Sequence, residues 1–173
     1  MTVGVSAPFV IMPAATRGDF VAADRLFRDY AASLKIDLCF QDFEAELAAL
    51  PGKYAPPKGA LLLARNQQAE AIGCVALRPS AADRCEMKRL YVAPAARGGG
   101  LGKALMNAIV GEGRRIGYRA MRLDTLPQLT TALAMYEAAG FVRIAPYYAT
   151  PVEGTIFLEL DLQQTGDLEA RFC

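Results

Sequence analysis

Arg97-Gly98-Gly99-Gly100-Leu101-Gly102-Lys103 is the stretch on which the reading of this chain turns. Before it, Glu86 to Val92 reads as a strand that Pro94 and the three consecutive glycines bring to an end. After it, Leu101, Leu105, Ala108, Ile109 and Ile116 fall broadly on one side of a long helix that Gly117 is placed to cap. The glycines therefore lead from a strand into a helix N-terminus, where the first turn leaves backbone N–H groups unpaired and carries partial positive charge. With no Cβ in the way, an anion such as phosphate reaches those groups. Two nucleotide-binding loops fail on spacing. A P-loop needs glycine and Ser/Thr where Arg97 and Ala104 stand, and G-x-G-x-x-G ends on Lys103 or Leu105 instead of glycine.

Upstream, Phe9 to Met12 reads as a short strand, and Thr16 and Asp19 are capping residues for a helix whose Phe20, Ala23, Phe27, Tyr30 and Leu34 share one face. A second helix is expected from about Gln41, ended by Pro51-Gly52. Ala60 to Arg65 and Ala71 to Arg78 form a hairpin about Asn66-Gln67-Gln68, and Pro79 to Asp83 is expected to turn into the strand before the glycines. Downstream come a strand over Ala120 to Thr125, a helix from Pro127 to Ala139 capped by Gly140, and strands over Phe141 to Pro146 and Gly154 to Leu162. The order is strand, two helices, three strands, helix, strand, helix, two strands. That makes an α/β (α+β) domain of six to seven strands flanked by four helices. At 173 residues the chain is expected to be one domain, with 163–173 as a tail.

Composition removes several kinds of chemistry. No histidine is present, which excludes Ser-His-Asp and Cys-His catalysis and H-E-x-x-H zinc sites. Cys39, Cys74, Cys85 and Cys173 form no C-x-x-C pair, so neither a zinc ribbon nor a disulfide framework is expected, and no metal. Residues 84–122 hold nine Lys/Arg against two acidic residues, while the rest of the chain holds ten against sixteen. Such a basic stretch suits a phosphorylated ligand or nucleic acid, but no nucleic-acid motif or aromatic-basic interleaving accompanies it, and nucleic acid is not expected as a partner. No apolar run is long enough to span a bilayer and no secretory signal opens the chain, so the expectation is a cytoplasmic protein without a membrane partner.

The spacing R-x-x-G-x-G, from Arg97 through Gly100 to Gly102, resembles that of the GNAT superfamily of N-acetyltransferases. Arg89-Leu90-Tyr91-Val92-Ala93-Pro94 is similar to that family's strand before the loop. Ala134-Met135-Tyr136-Glu137-Ala138-Ala139-Gly140-Phe141 is similar to its late helix. The resemblance covers about residues 60 to 145. It implies a mixed, mostly antiparallel sheet with a splayed parallel pair of strands, and acetyl-coenzyme A as acyl donor. Its pyrophosphate would lie on Arg97, Gly98, Gly99, Gly100, Leu101, Gly102 and Lys103, and its pantetheine arm along Leu90, Tyr91 and Val92. The resemblance also implies a backbone N–H, that of Val92, polarising the thioester carbonyl. Many family members carry asparagine seven residues before the late-helix tyrosine. Here that residue is Leu129, and Gln128, Thr130 or Thr131 could substitute, since each offers a polar group near the helix start.

Transfer of acetyl from a thioester to an amine needs a base for the nucleophile and a proton for the departing thiolate. By resemblance Glu86 is the base and Tyr136 the acid; a phenol, with a pKa near 10, suits the second task at neutral pH. Read without the resemblance, Glu86 is a strand-edge residue paired with Arg84 or Lys88, and Tyr136 a core residue aligned with Leu129 and Leu133. The acceptor, a small-molecule or peptide amine, would be walled by the first two helices and the last loop, with Tyr30, Phe40, Gln41, Tyr147 and Tyr148 as candidates. A non-catalytic acyl-coenzyme A sensor is the competing expectation, and a homodimer is compatible with an enzyme this small.

Overall fold

The first helix begins where Thr16 and Asp19 close on each other. Thr16 Oγ1 accepts from the Asp19 N–H at 3.1 Å, Asp19 Oδ2 accepts from the Thr16 N–H at 2.9 Å, and α1 runs Arg17–Leu34 from that capping box. The computed structural model describes residues 8–38 and 42–164. Within them, α2 spans Phe43–Ala48, α3 Leu101–Ile116 and α4 Thr130–Ala138. The strands are β1 Phe9–Pro13, β2 Ala60–Asn66, β3 Ala71–Ala81, β4 Arg84–Val92, β5 Ala120–Thr125, β6 Val142–Ile144 and β7 Ile156–Asp161. They form one sheet in the order β1-β2-β3-β4-β5-β7-β6, antiparallel throughout except for β4 against β5. Among the described residues no helix is long and apolar enough to cross a membrane.

Strand alternation splits the core between the two faces of the sheet. Leu62, Val75, Leu77, Cys85 and Met87 point to one side and pack with Leu105, Met106 and Ile109 of α3. Leu61, Leu63, Cys74 and Ala76 point to the other and pack with Leu26 and Phe27 of α1 and Phe43 and Leu47 of α2. Gly113 lets α3 lie close on β4 and β5, since a Cβ there would come within 3.0 Å of Met121 and 3.1 Å of Leu162. Gly113 is where helix and sheet touch.

Three local expectations need correction. Pro79 does not open a turn: β3 continues to Ala81, and the missing N–H is accommodated beside an irregularity in register between Pro79 and Ala81. α4 starts at Thr130, not Pro127, because the Leu129 N–H first closes a turn on the Leu126 carbonyl. β4 is not a plain strand. Cys74 pairs with Tyr91 but Ala76 with Lys88, so the bulged strand gains a residue, and Arg89 takes φ 59°. The bulge exchanges the faces: Cys85 and Met87 share the α3 side with Leu90 and Val92, while Arg89 joins Tyr91 on the α1 side.

The capping box yields a stability prediction. The Ala15 and Thr16 N–H groups, then Arg65 at 2.7 Å, hold the Asp19 carboxyl well below the usual carboxylate range. Because the folded value is depressed, the stabilisation is complete above the unfolded value of about 3.9 and is lost as pH falls through the folded one. Thr16→Ala should cost about 1 kcal/mol in urea unfolding at pH 7. Asp19→Ala should cost more, and its deficit against wild type should narrow when the titration is repeated at pH 3.

Candidate active site

β4 and β5 pair only at Arg84 with Ala120, Cys85 with Met121 and Glu86 with Arg122, although β4 runs on to Val92 and β5 to Thr125. Beyond Glu86 the two strands part, and the backbone between them is left without a sheet partner on that side. The Ala93 N–H donates to the Ile72 carbonyl across β3, so the preceding Val92 N–H points the other way, into the gap. A cavity of about 860 Å3 opens from this gap. Its walls are the exposed edge of β4, the ends of α1 and β5, the starts of α3 and α4, and the segment before β7.

At one end of the cavity lies the glycine loop. Gly98 and Gly100 take φ of 85° and 78°, values that only glycine adopts without strain, and these turn the chain from β4 into α3. From Gly98 to Lys103 no backbone N–H has a hydrogen-bond partner among the described residues, and the loop glycines face open space. This is the donor set of an anion site, and a pyrophosphate fits it. Leu101, Gly102 and Lys103 line the cavity with Gly98 and Gly100, whereas Gly99 does not reach it. Arg97 lines it too; its Nε donates to the Val92 carbonyl at 3.0 Å and its guanidinium stands 5.8 Å from the Tyr91 ring centre. Leu90, Tyr91, Val92 and Thr131 are on the wall as well, and Gln128 and Thr130 flank Leu129 there.

Tyr136 lies on the same wall, with its ring against Phe141 at 5.7 Å and its hydroxyl without a hydrogen-bond partner among the described residues. Burial, and then the neighbouring Tyr30 and Asp124, push its phenol above the usual range, so it keeps its proton at neutral pH. Tyr30 lines the opposite side, its phenol pushed up to about 12, mainly by burial.

Glu86 is neither at a strand edge nor on the cavity wall. It is 3% exposed, and its Oε1 accepts from Arg78 Nη2 at 2.8 Å while Oε2 accepts from the Tyr147 hydroxyl at 2.6 Å. Arg84 pairs with Asp83 and Glu159 instead. Tyr147 and Tyr148 also stand off the cavity, each edge-to-face with Phe157, and the Tyr148 hydroxyl donates to Asp124 Oδ2 at 3.1 Å. Phe40 and Gln41 lie outside the described residues.

Sequence reasoning passed over Asp124 and gave Lys88 only as a partner of Glu86; both are on the wall. Lys88 Nζ lies 3.3 Å from Asp124 Oδ1 and 3.7 Å from Glu86 Oε1, so one buried cation is held between two carboxylates. The available signal was positional: Asp124 is the acidic residue near the carboxyl end of a strand whose parallel neighbour leads into the glycine loop, and such strand ends are where α/β sheets bind ligands. Among the described residues no group of three or more Cys, Asp or Glu is placed to hold a metal ion.

A sheet with one parted parallel pair and an anion-binding loop at its mouth defines a class, the acyltransferases that take a coenzyme A thioester. The chain belongs to the Acetyltransferase (GNAT) family, whose sequence profile matches residues 23–141. It is 39% identical over 140 residues to an uncharacterized N-acetyltransferase of Schizosaccharomyces pombe, an alignment that covers 80% of this chain and 86% of that protein. A GNAT-family acetyltransferase of Staphylococcus aureus shares the fold with a TM-score of 0.75 at 18% identity, over 90% of this chain and 99% of the other. A Salmonella typhimurium protein solved with its cofactor acetyl-CoA superposes with a TM-score of 0.68 at 19% identity, over 94% and 99%. At those identities the two structures speak for the fold.

Two tyrosines of the site should separate on stability. Tyr136→Phe removes a hydroxyl without a hydrogen-bond partner among the described residues and should be near neutral in urea unfolding. Tyr147→Phe removes a bond to a buried carboxylate and should cost about 1.5–3 kcal/mol.

Proposed function

We propose that the chain transfers the acetyl group of acetyl-coenzyme A to a primary amine of a small molecule or peptide by direct attack on the thioester. The observation that carries this reading is the gap between β4 and β5, which runs from the unpaired N–H groups of Gly98 to Lys103, past Val92, to the free hydroxyl of Tyr136. The pyrophosphate would sit on the loop, with Arg97 and Lys103 adding charge, and the pantetheine amides would pair with the edge of β4 as a further strand does. The thioester carbonyl would then accept from the Val92 N–H, and its sulfur would lie against Tyr136. That phenol supplies a hydrogen to the departing sulfur and, being hard to ionise, does not compete as an anion. The amine would enter from the side of Tyr30, Ser33 and Leu34, on the α1 wall. Asparagine is not needed before α4, because Thr130 and Thr131 offer hydroxyls at the same end of the helix.

The experiment is calorimetric titration with acetyl-coenzyme A, followed by thiol release over a panel of L-amino acids, polyamines and short peptides with free N-termini. Binding with amine-dependent release is expected. Binding without release on any amine would favour an acyl-coenzyme A sensor, and no binding would refute the reading. Arg97→Ala should weaken binding by roughly tenfold, the loss of one charge-assisted contact. Tyr136→Phe should leave binding nearly intact and lower kcat by about 100-fold.

A further inference from the structure

The described cavity wall carries four basic side chains, Lys88, Arg89, Arg97 and Lys103, and one acidic one, Asp124. In a chain without histidine that single carboxylate is a chemically distinct feature of the site. Glu86 cannot meet an acceptor as it stands, since Arg78 and Tyr147 occupy its two oxygens and its side chain is 4% exposed. The Asp124 side chain is 16% exposed and reaches the cavity. Its partners bond one oxygen each, Lys88 at 3.3 Å and Tyr148 at 3.1 Å, which fixes its orientation and leaves a second lone pair on each oxygen.

We propose that Asp124 is the carboxylate that receives the acceptor amine and takes its proton, and that Glu86 is a positioning residue acting through Lys88. This rests on the N-acetyltransferase reading above. The amine nitrogen forms its bond to the thioester carbon, and the proton that nitrogen must shed passes to Asp124. As the C–S bond breaks, sulfur takes the phenol proton of Tyr136, and Tyr136 is made good, through solvent, by the proton Asp124 has gained. Amine and acetyl-coenzyme A thus become amide and free thiol, with no proton left over. Burial keeps the Tyr136 phenol from ionising, so its proton must be replaced as it leaves, and Asp124 is one of the groups whose charge it feels. Lys88 prevents the two carboxylates, Asp124 and Glu86, from repelling each other within the same pocket of the fold.

Among the described residues the charged and titratable groups facing Asp124 are Lys88 on β4, with Glu86 behind it, Tyr147 and Tyr148 on the segment before β7, Tyr30 on α1 and Tyr136 on α4. Of these the tyrosines keep their protons below pH 9, because burial raises each one. The acidic limb of kcat/KM should therefore belong to a carboxylate.

The test measures thiol release against pH with the best amine of the panel, alongside acetyl-coenzyme A titration of every variant to show that it is folded. Asp124→Asn should bind acetyl-coenzyme A as wild type does, lose about 100-fold or more in kcat/KM and lose the acidic limb. Asp124→Glu should restore part of both. Glu86→Gln should lose less and keep the limb. Release that survives Asp124→Asn, or a limb that vanishes in Glu86→Gln alone, overturns this assignment and leaves the N-acetyltransferase reading standing. A wild type that releases no thiol with any amine overturns both.

Discussion

Everything at the site follows from a sheet that stops pairing too early. Three residue pairs join β4 to β5, and then each strand continues alone. Unpaired backbone N–H and C=O groups at the centre of a sheet are costly when buried and inviting when open to a ligand. The bulge at Arg89 makes the parting usable. It brings Leu90 and Val92 onto the side packed by α3 and sends Arg89 and Tyr91 to the side packed by α1, so the last turn of β4 belongs to both walls of the cavity. Arg89 is anchored there by Glu46 at 2.9 Å and by the Phe43 ring at 5.0 Å, which ties α2 to the bulge.

The two ends of the gap then acquire opposite characters from ordinary local structure. Toward α3, positive φ at Gly98 and Gly100 delivers a helix start with free N–H groups and basic neighbours, a place for anions. Toward β5, the chain supplies hydroxyls and a carboxylate: Tyr30, Thr125, Tyr136 and Asp124. Charge is thus distributed as a coenzyme A thioester and a cationic amine would divide it. The basic stretch that the sequence shows as one run is split by the fold. Arg84 and Arg122 share Glu159 and leave the site, Lys88 and Arg89 are enclosed by acidic partners, and only Arg97 and Lys103 remain with the loop.

What the sequence made legible is what local rules govern. The capping box of α1, the glycine exit from α3, the hairpin of β2 and β3, and the strand-loop-helix at 86–116 each depend on neighbours within a few residues, and each was read to within a residue or two except for the far end of β3, which runs three residues past Arg78. The bulge escaped because Lys88-Arg89-Leu90 contains no glycine or other local sign of a left-handed residue; the partners that hold Arg89 there, Glu46 and Phe43, lie on α2, more than forty residues away in sequence. Tyr147 and Tyr148 pack edge-on against Phe157 and not on the cavity wall; an aromatic pair in a loop does not say which layer it fills. Glu86 was singled out by resemblance alone. Its burial beneath Tyr147 is a contact between residues 61 apart and left no trace in either segment.

A lysine between two carboxylates explains why this fold tolerates so much buried charge near one cavity. Glu86 is already compensated by Arg78 and by a tyrosine hydroxyl, so it needs Lys88 little. Among the described residues Asp124 bonds only Lys88 at 3.3 Å and Tyr148 at 3.1 Å, both longer than the bonds to Glu86 from Arg78 and Tyr147. Removing any buried partner leaves an uncompensated charge, which is why such a cluster persists as a unit once formed. Within that unit the carboxylates are unequal by geometry alone: one is sealed under an aromatic layer, the other opens on the gap where the sheet has parted. A proton acceptor must be held in place and yet be reachable. Glu86 satisfies the first condition and Asp124 both.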